Sequence, residues 1–392
     1  MIREQVGAET LAERLRLPER CAGPEDTMPQ SCPHPLLRDV LCIAADRDAS
    51  DVHLVAGHRP MIRVHGQLEP VEHDVLRSPD VQQLAATILP PAVFEQFEER
   101  KNADCSLSFE HSERRLRFRA NVYLARDQWC MCLRLIPNEI PTLKWLGFSV
   151  ELAERLAGYK NGLVLITGET GSGKSSSLAA LVNLIRETRN AHILTIEEPI
   201  EYIHEPREST VVTQREVGRD VDSFADGLKY GLRQDPDVIL VGEIRDRETA
   251  QMAISAAETG HLILATMHTR DAKGALTRLV DLFPQDSQDD IRTQLAMSLR
   301  SVVSQKLLTP ADDGQRRVLA MEVLHVTQPV QVTIRSGRFE KLDSAIQTGV
   351  RGGMLALDDD LRRLVRESRI TVDTARAYAH DPANLNASGQ SW

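Results

Sequence analysis

Residues 162–177 read GLVLITGETGSGKSSS. A short apolar, β-branched run, Leu163–Ile166, leads into a glycine-rich loop, and a helix-like stretch, Ser175–Arg186, follows it. The loop fits G-x-x-x-x-G-K-[ST], with Gly168, Gly173, Lys174 and Ser175 at the defining positions. Glycines allow a tight turn whose backbone N–H groups point inward at phosphate oxygens; the lysine reaches the β- and γ-phosphates and the hydroxyl ligates Mg²⁺. Strand, loop and helix in this order also place the positive end of a helix beneath the phosphates. The stretch therefore predicts a nucleotide site made of Gly168, Glu169, Thr170, Gly171, Ser172, Gly173, Lys174, Ser175 and Ser176, with ATP and Mg²⁺ as its ligands. A flexible glycine linker would require neither the strand nor the helix.

The 392 residues suffice for two or three domains, each with its own core. With 42% hydrophobic and 27% charged residues the chain has the composition of a globular protein. It has no apolar run of the roughly 18–20 residues that cross a bilayer. The opening MIREQVGAETLAERLRLPER lacks the apolar centre of a secretory signal and reads as a surface amphipathic helix, so a cytoplasmic location is expected. A net charge of −10 argues against duplex binding, which wants a basic face; no stable nucleic-acid partner is expected. The six cysteines (Cys21, Cys32, Cys42, Cys105, Cys130, Cys132) all lie in the first third without a C-x-x-C pair and read as reduced, structural thiols.

Residues 1–35, whose last fifteen are rich in Pro and polar residues, read as an extension and linker. Residues 36–140 mix a helix-like LLRDVLCIAADRD with strand-like DVHLVAG, MIRVHG, LRFRANVYLA and WCMCLRLIP, which predicts an α+β domain. Residues 141–160 form a connector. In 161–310 the strand candidates GLVLIT, HILTIEEP, DVILVGE and HLILATMHT alternate with helices, the pattern of a mostly parallel sheet with crossovers. Residues 285–309 read as one long helix, 311–380 as a mostly helical region and 381–392 as a disordered tail.

Two acidic segments end strands of this array. In DPDVILVGEIRD the apolar Val238–Val241 is followed by Glu243, at the carboxyl end of the sheet where open α/β folds bind ligands; Glu243 is the candidate metal-side carboxylate. TIEEPIEY offers Glu197, Glu198 and Glu201 for polarising the attacking water, and spacing alone does not choose among them. In ETGHLILATMHT, His268 ends a strand and His261 precedes it. His268 could sense the γ-phosphate through a hydrogen bond or be structural.

GETGSGKSS, TIEEPIEY, VVTQREVGRD, DPDVILVGEIRD and AAETGHLILATMHT occur in this order and spacing, and together they resemble the hexameric secretion-type ATPases, most closely the type IV pilus retraction motors. The resemblance runs from about Ala49 to Asp381 and includes ASDVHL…G…P…R…G and RFRANVY…LRLIP in the front domain. It implies an α/β fold: a PAS-like α+β N-terminal domain, then a RecA-like P-loop ATPase domain with a helical C-terminal part. It further implies Glu201 as the catalytic carboxylate, Glu243 as the Walker B acid, His261 and His268 as a histidine box, and Arg119 and Arg134 as arginines that reach a neighbouring subunit's ATP, with Arg278 a further candidate. Without the resemblance, Arg119 and Arg134 read as edge-strand charges. A homo-hexamer at an inner-membrane platform protein, with a second retraction ATPase as a possible companion, is the partner set implied. The acidic box has Glu198 where the family has Asp. The family's C-terminal AIRNLIRE-like segment is represented only by PVQVTIRSGR, which is compatible with an accessory retraction ATPase. The related assembly and type II secretion motors carry a four-cysteine module after the core, and no cysteine follows Cys132.

Overall fold

The computed structural model describes residues 34–385, apart from 65, 90, 113, 137–138 and 313–315. The extension expected for 1–35, with Cys21 and Cys32, lies almost wholly outside the described residues, as do 386–392. Two compact units divide after Asn138.

The first unit runs α1 (Pro35–Asp46), β1 (Asp51–Val55), β2 (Met61–Val64), β3 (Gln67–Pro70), α2 (Ser78–Ile88), α3 (Pro91–Arg100), β4 (Asn102–His111), β5 (Arg114–Ala125) and β6 (Gln128–Ile136). Its six strands form one antiparallel sheet in the order β3-β2-β1-β6-β5-β4. Alternation along the strands turns Val52, Leu54, Phe118, Ala120, Val122, Met131 and Leu133 to one face, where Leu37, Leu41, Leu84 and Phe97 of the helices cover them. This one-sided α+β arrangement is PAS-like. The opposite face keeps polar residues, and on it Arg119 and Arg134 are direct cross-strand partners. The four described cysteines are unpaired.

The second unit holds α4 (Leu143–Leu146), α5 (Val150–Gly158), β7 (Gly162–Gly168), α6 (Lys174–Thr188), β8 (His192–Glu197), β9 (Val211–Glu216), α7 (Phe224–Gly231), β10 (Val238–Val241), α8 (Arg247–Glu258), β11 (Leu262–Met267), α9 (Ala272–Asp281), α10 (Gln288–Ser298), β12 (Leu299–Leu308), β13 (Val318–His325), α11 (Gln328–Arg335), α12 (Leu342–Thr348), α13 (Leu357–Arg366) and α14 (Val372–Tyr378). A seven-stranded sheet in the order β13-β12-β7-β11-β10-β8-β9 is parallel throughout except for the β12–β13 hairpin. Helices cover both faces, so β7 is buried along its whole length. Leu163 and Leu165 pack toward α7–α10, and Val164 and Ile166 toward α4–α6.

One expectation is corrected here. The stretch 285–309 is not one helix: α10 ends at Ser298, and Leu299–Leu308 is a strand parallel to β7. Its Ser301, Ser304 and Gln305 are polar, yet all three are buried and hydrogen-bonded, to His325 and Tyr159, to Thr167, and to Ser177. The region after 310 opens with one strand, β13, and carries the helices α11–α14 from Gln328 onward.

Candidate nucleotide site

The parallel registers bring the carboxyl ends of β7, β11, β10 and β8 to one edge, with Thr167 opposite Met267, Val241 opposite Ala265 and Val241 opposite Ile196. The glycine loop, His268, Glu243 and the acidic segment 197–201 all leave the sheet there. Within the loop, Gly168 has φ +149°, and a β-carbon on it would fall on Ser172 Oγ and lie 2.5 Å from the Gln305 carbonyl oxygen; only glycine fits. Gly173 (φ +90°) caps α6 without a side-chain bond, and the first-turn N–H groups of the helix have no intrahelical acceptor.

Lys174 Nζ donates to the carbonyls of Gly168 (2.9 Å) and Glu169 (3.0 Å) inside the loop. Burial pushes its pKa down, while the charges of Glu243 and Glu201 oppose that shift. Ser172 Oγ is buried without a hydrogen-bond partner. A buried ammonium, an unsatisfied hydroxyl, left-handed glycines and a bare helix N-terminus form a donor set that suits a phosphate chain. Ser175 is exposed at the first turn, and its hydroxyl with the Glu243 carboxylate provides the hard oxygen donors that Mg²⁺ prefers. The residues present fit both ligands.

A chain of polar contacts joins the segments. Thr170 Oγ1 lies 3.5 Å from His268 Nδ1, and His268 Nε2 lies 3.3 Å from Glu243 Oε2. Arg245 Nε meets the same Glu243 oxygen at 2.9 Å, while its Nη1 meets Glu198 Oε2 at 2.7 Å. Burial alone would lower the Arg245 pKa, but the two carboxylates outweigh it and raise it. Glu198, the departure from the resembled pattern, is thus occupied by an ion pair. Glu197 is held differently: its Oε1 accepts from Thr195 Oγ1 (2.6 Å) and Gln214 Nε2 (3.2 Å). Burial pushes its pKa up to about 7, against the pull of those two bonds. Glu201 makes no hydrogen bond or ion pair among the described residues, yet stands close enough to Lys174 to act on its charge.

Geometry thus separates three carboxylates that spacing could not. Two candidates are not brought to the loop. His261 precedes β11, and its carbonyl accepts from Gly162 N at the start of β7, so the length of a strand, about 20 Å, divides it from His268. Arg278 lies on α9 and lines a cleft with Asp281, Gly337 and Phe339. In the first unit, Arg119 pairs with Asp104 (3.5 Å) and Arg134 with the buried Asp51 (2.8 Å). Sequence reasoning passed over Arg245, Gln214 and Tyr202. Arg245 was readable as a basic residue two positions after Glu243; the other two act across loops and left no local signal.

The model of the family described as Type II/IV secretion system protein matches residues 29–391. The type IV pilus retractation ATPase PilT of Pseudomonas aeruginosa is 40% identical over 89% of this chain and 99% of its own length. The type IV pilus ATPase PilU of the same organism is 38% identical over 88% of each chain. A crystal structure of the pilus retraction motor PilT with bound ADP superposes with a TM-score of 0.80 at 37% identity, covering 89% of this chain and 98% of that one. The loop, the acids converging on it and these likenesses agree: the chain belongs to the Type II/IV secretion system protein family and is one of its ATPases.

Proposed function

We propose that this chain is the ATP-hydrolysing motor of type IV pilus retraction, a ring of six copies that withdraws pilus subunits at an inner-membrane platform protein from the cytoplasmic side. The convergence of Glu201, Glu243 and His268 on the Lys174 loop carries the chemical part. The likeness to PilT over nearly that protein's whole length supports the pilus role. Among the described residues no helix is long and apolar enough to cross a membrane. The front domain, 36–140, and the motor region, 161–380, joined by the connector 141–160, are the parts that would turn against each other.

Lys174 exchanges the Gly168 and Glu169 carbonyls for β- and γ-phosphate oxygens, and Glu201 polarises the attacking water. Ser175 and Glu243 would hold Mg²⁺, which when bound neutralises charge on the phosphates. His268, bridging Glu243 and Thr170, reports the γ-phosphate to the loop. Arg119 and Arg134, side by side on one sheet face, would serve the nucleotide of a neighbouring copy, which makes hydrolysis depend on assembly. Each would exchange its present carboxylate for phosphate.

The test is ATPase rate per subunit against protein concentration, for the wild type, Lys174→Ala and Glu201→Ala. The rate per subunit should rise with assembly; Lys174→Ala should lose nucleotide binding, and Glu201→Ala should bind but turn over at least about 100-fold more slowly. A concentration-independent rate, or full turnover by Glu201→Ala, refutes the proposal. A wild type that assembles and binds ATP without hydrolysing it would favour an accessory ATPase beside a second motor, the reading to which the likeness to PilU lends support.

A further inference from the structure

The stretch that carries Glu201 has no regular structure: residues 198–206, the first part of the connection from β8 to β9, are bends and coil. An unanchored carboxylate there would sample many positions, and misplacement by about 1 Å can cost 100-fold in rate. Both neighbours of Glu201 are nevertheless pinned. Ile200 N donates to Glu216 Oε2 at 3.0 Å. Gln214 Nε2 donates to the Tyr202 carbonyl at 2.8 Å, while Gln214 Oε1 accepts from His204 N at 3.0 Å. These bonds tie the turn to β9. The Tyr202 hydroxyl reaches the other way, to Ser176 Oγ on the first turn of α6 at 2.8 Å. The Tyr202 ring is 5% exposed, so it has little freedom to swing. Ser176 follows Lys174 and Ser175 by two and one residues.

We propose that Tyr202 is the positioning residue of Glu201: its hydroxyl bond to Ser176 fixes the distance of that carboxylate from the phosphate-binding turn. This rests on Glu201 acting on the attacking water. The rest of the acidic turn is referenced to the sheet edge, whereas Tyr202 references it to the helix that carries Lys174. Tyrosine is needed here for its oxygen, because phenylalanine would fill the same space without it.

The test uses the full chain and the conservative variant Tyr202→Phe. In nucleotide-free protein, amide hydrogen exchange of residues 200–203 should quicken in Tyr202→Phe and in Ser176→Ala, and by no more in the double variant, since both remove one bond. With ATP, Tyr202→Phe should lower kcat about 10-fold with KM within about twofold, the rate being taken per nucleotide-binding site counted by titration so that a loss of folded protein is not read as a loss of rate. Unchanged exchange, additive exchange effects, or a wild-type kcat in Tyr202→Phe overturns the inference. Glu201→Gln run alongside separates the two ideas. If it is inactive while Tyr202→Phe is normal, only the inference fails; if Glu201→Gln is fully active, the catalytic reading of Glu201 fails and takes the inference with it.

Discussion

Replacing Glu197 by Gln should leave the protein's stability unchanged in acid and raise it above neutral pH. Both donors to this side chain, Thr195 Oγ1 and Gln214 Nε2, meet one oxygen, Oε1. A glutamine can keep that oxygen in place and set its NH₂ where Oε2 stood. Burial moves the carboxyl pKa from 4.5 to about 7. The folded state therefore holds the proton more tightly than the unfolded chain. That contribution is present in full below 4.5 and is lost as pH rises through 7. At 1.36 kcal/mol per pH unit the loss is about 3 kcal/mol, which the amide variant escapes. Urea unfolding of both proteins from pH 5 to pH 8.5 should show the gap opening in favour of Glu197→Gln, with roughly 6–12 °C in Tm at the alkaline end. ATP turnover should persist, because this side chain is tied to β8 and β9. A pH-independent gap, or a variant less stable than wild type at pH 8, would refute the reasoning.

His325 should act in the opposite sense. Burial, with the Arg155 charge adding to it and a bond to the Gly353 backbone opposing, pushes its pKa down to about 4, so wild-type stability falls as pH drops from 6.5 toward 4. His325→Gln should flatten that acid limb in the same unfolding series, by about 3 kcal/mol at its end. Gly168→Ala should abolish nucleotide binding and lower stability by about 1–3 kcal/mol, read by fluorescent-nucleotide titration and thermal melting, because its β-carbon meets the Gln305 carbonyl.

Much of this architecture was legible in the chain, for stated physical reasons. The strands β7, β10 and β11 are apolar because parallel strands are buried on both faces, and the glycine loop declares itself through spacing. The strand β12 hid because its buried Ser301, Ser304 and Gln305 find partners on other elements, and a sequence displays polarity without its partners. The acidic box was legible as a group and ambiguous in detail. Glu197, Glu198 and Glu201 differ in what Thr195, Arg245 and Lys174 offer them, and two of those three lie in the fold rather than in the spacing. The same holds for His261 and His268, which flank one strand at opposite rims of the sheet.

The Gln305 carbonyl that backs Gly168 belongs to a strand about 140 residues downstream, and that strand is laced by eight residue pairs to β13. At the far side of β13, the buried Asp360 of α13 accepts from Met321 N at 2.8 Å. Helix, hairpin and loop floor are therefore linked in series like plies of a laminate. A pull on α13 would load the β12–β13 and β7–β12 ladders before it reached the seat of the phosphates. If so, tightening of the loop on a nucleotide would load the C-terminal layer through the same bonds, since a coupling between two sites is reciprocal.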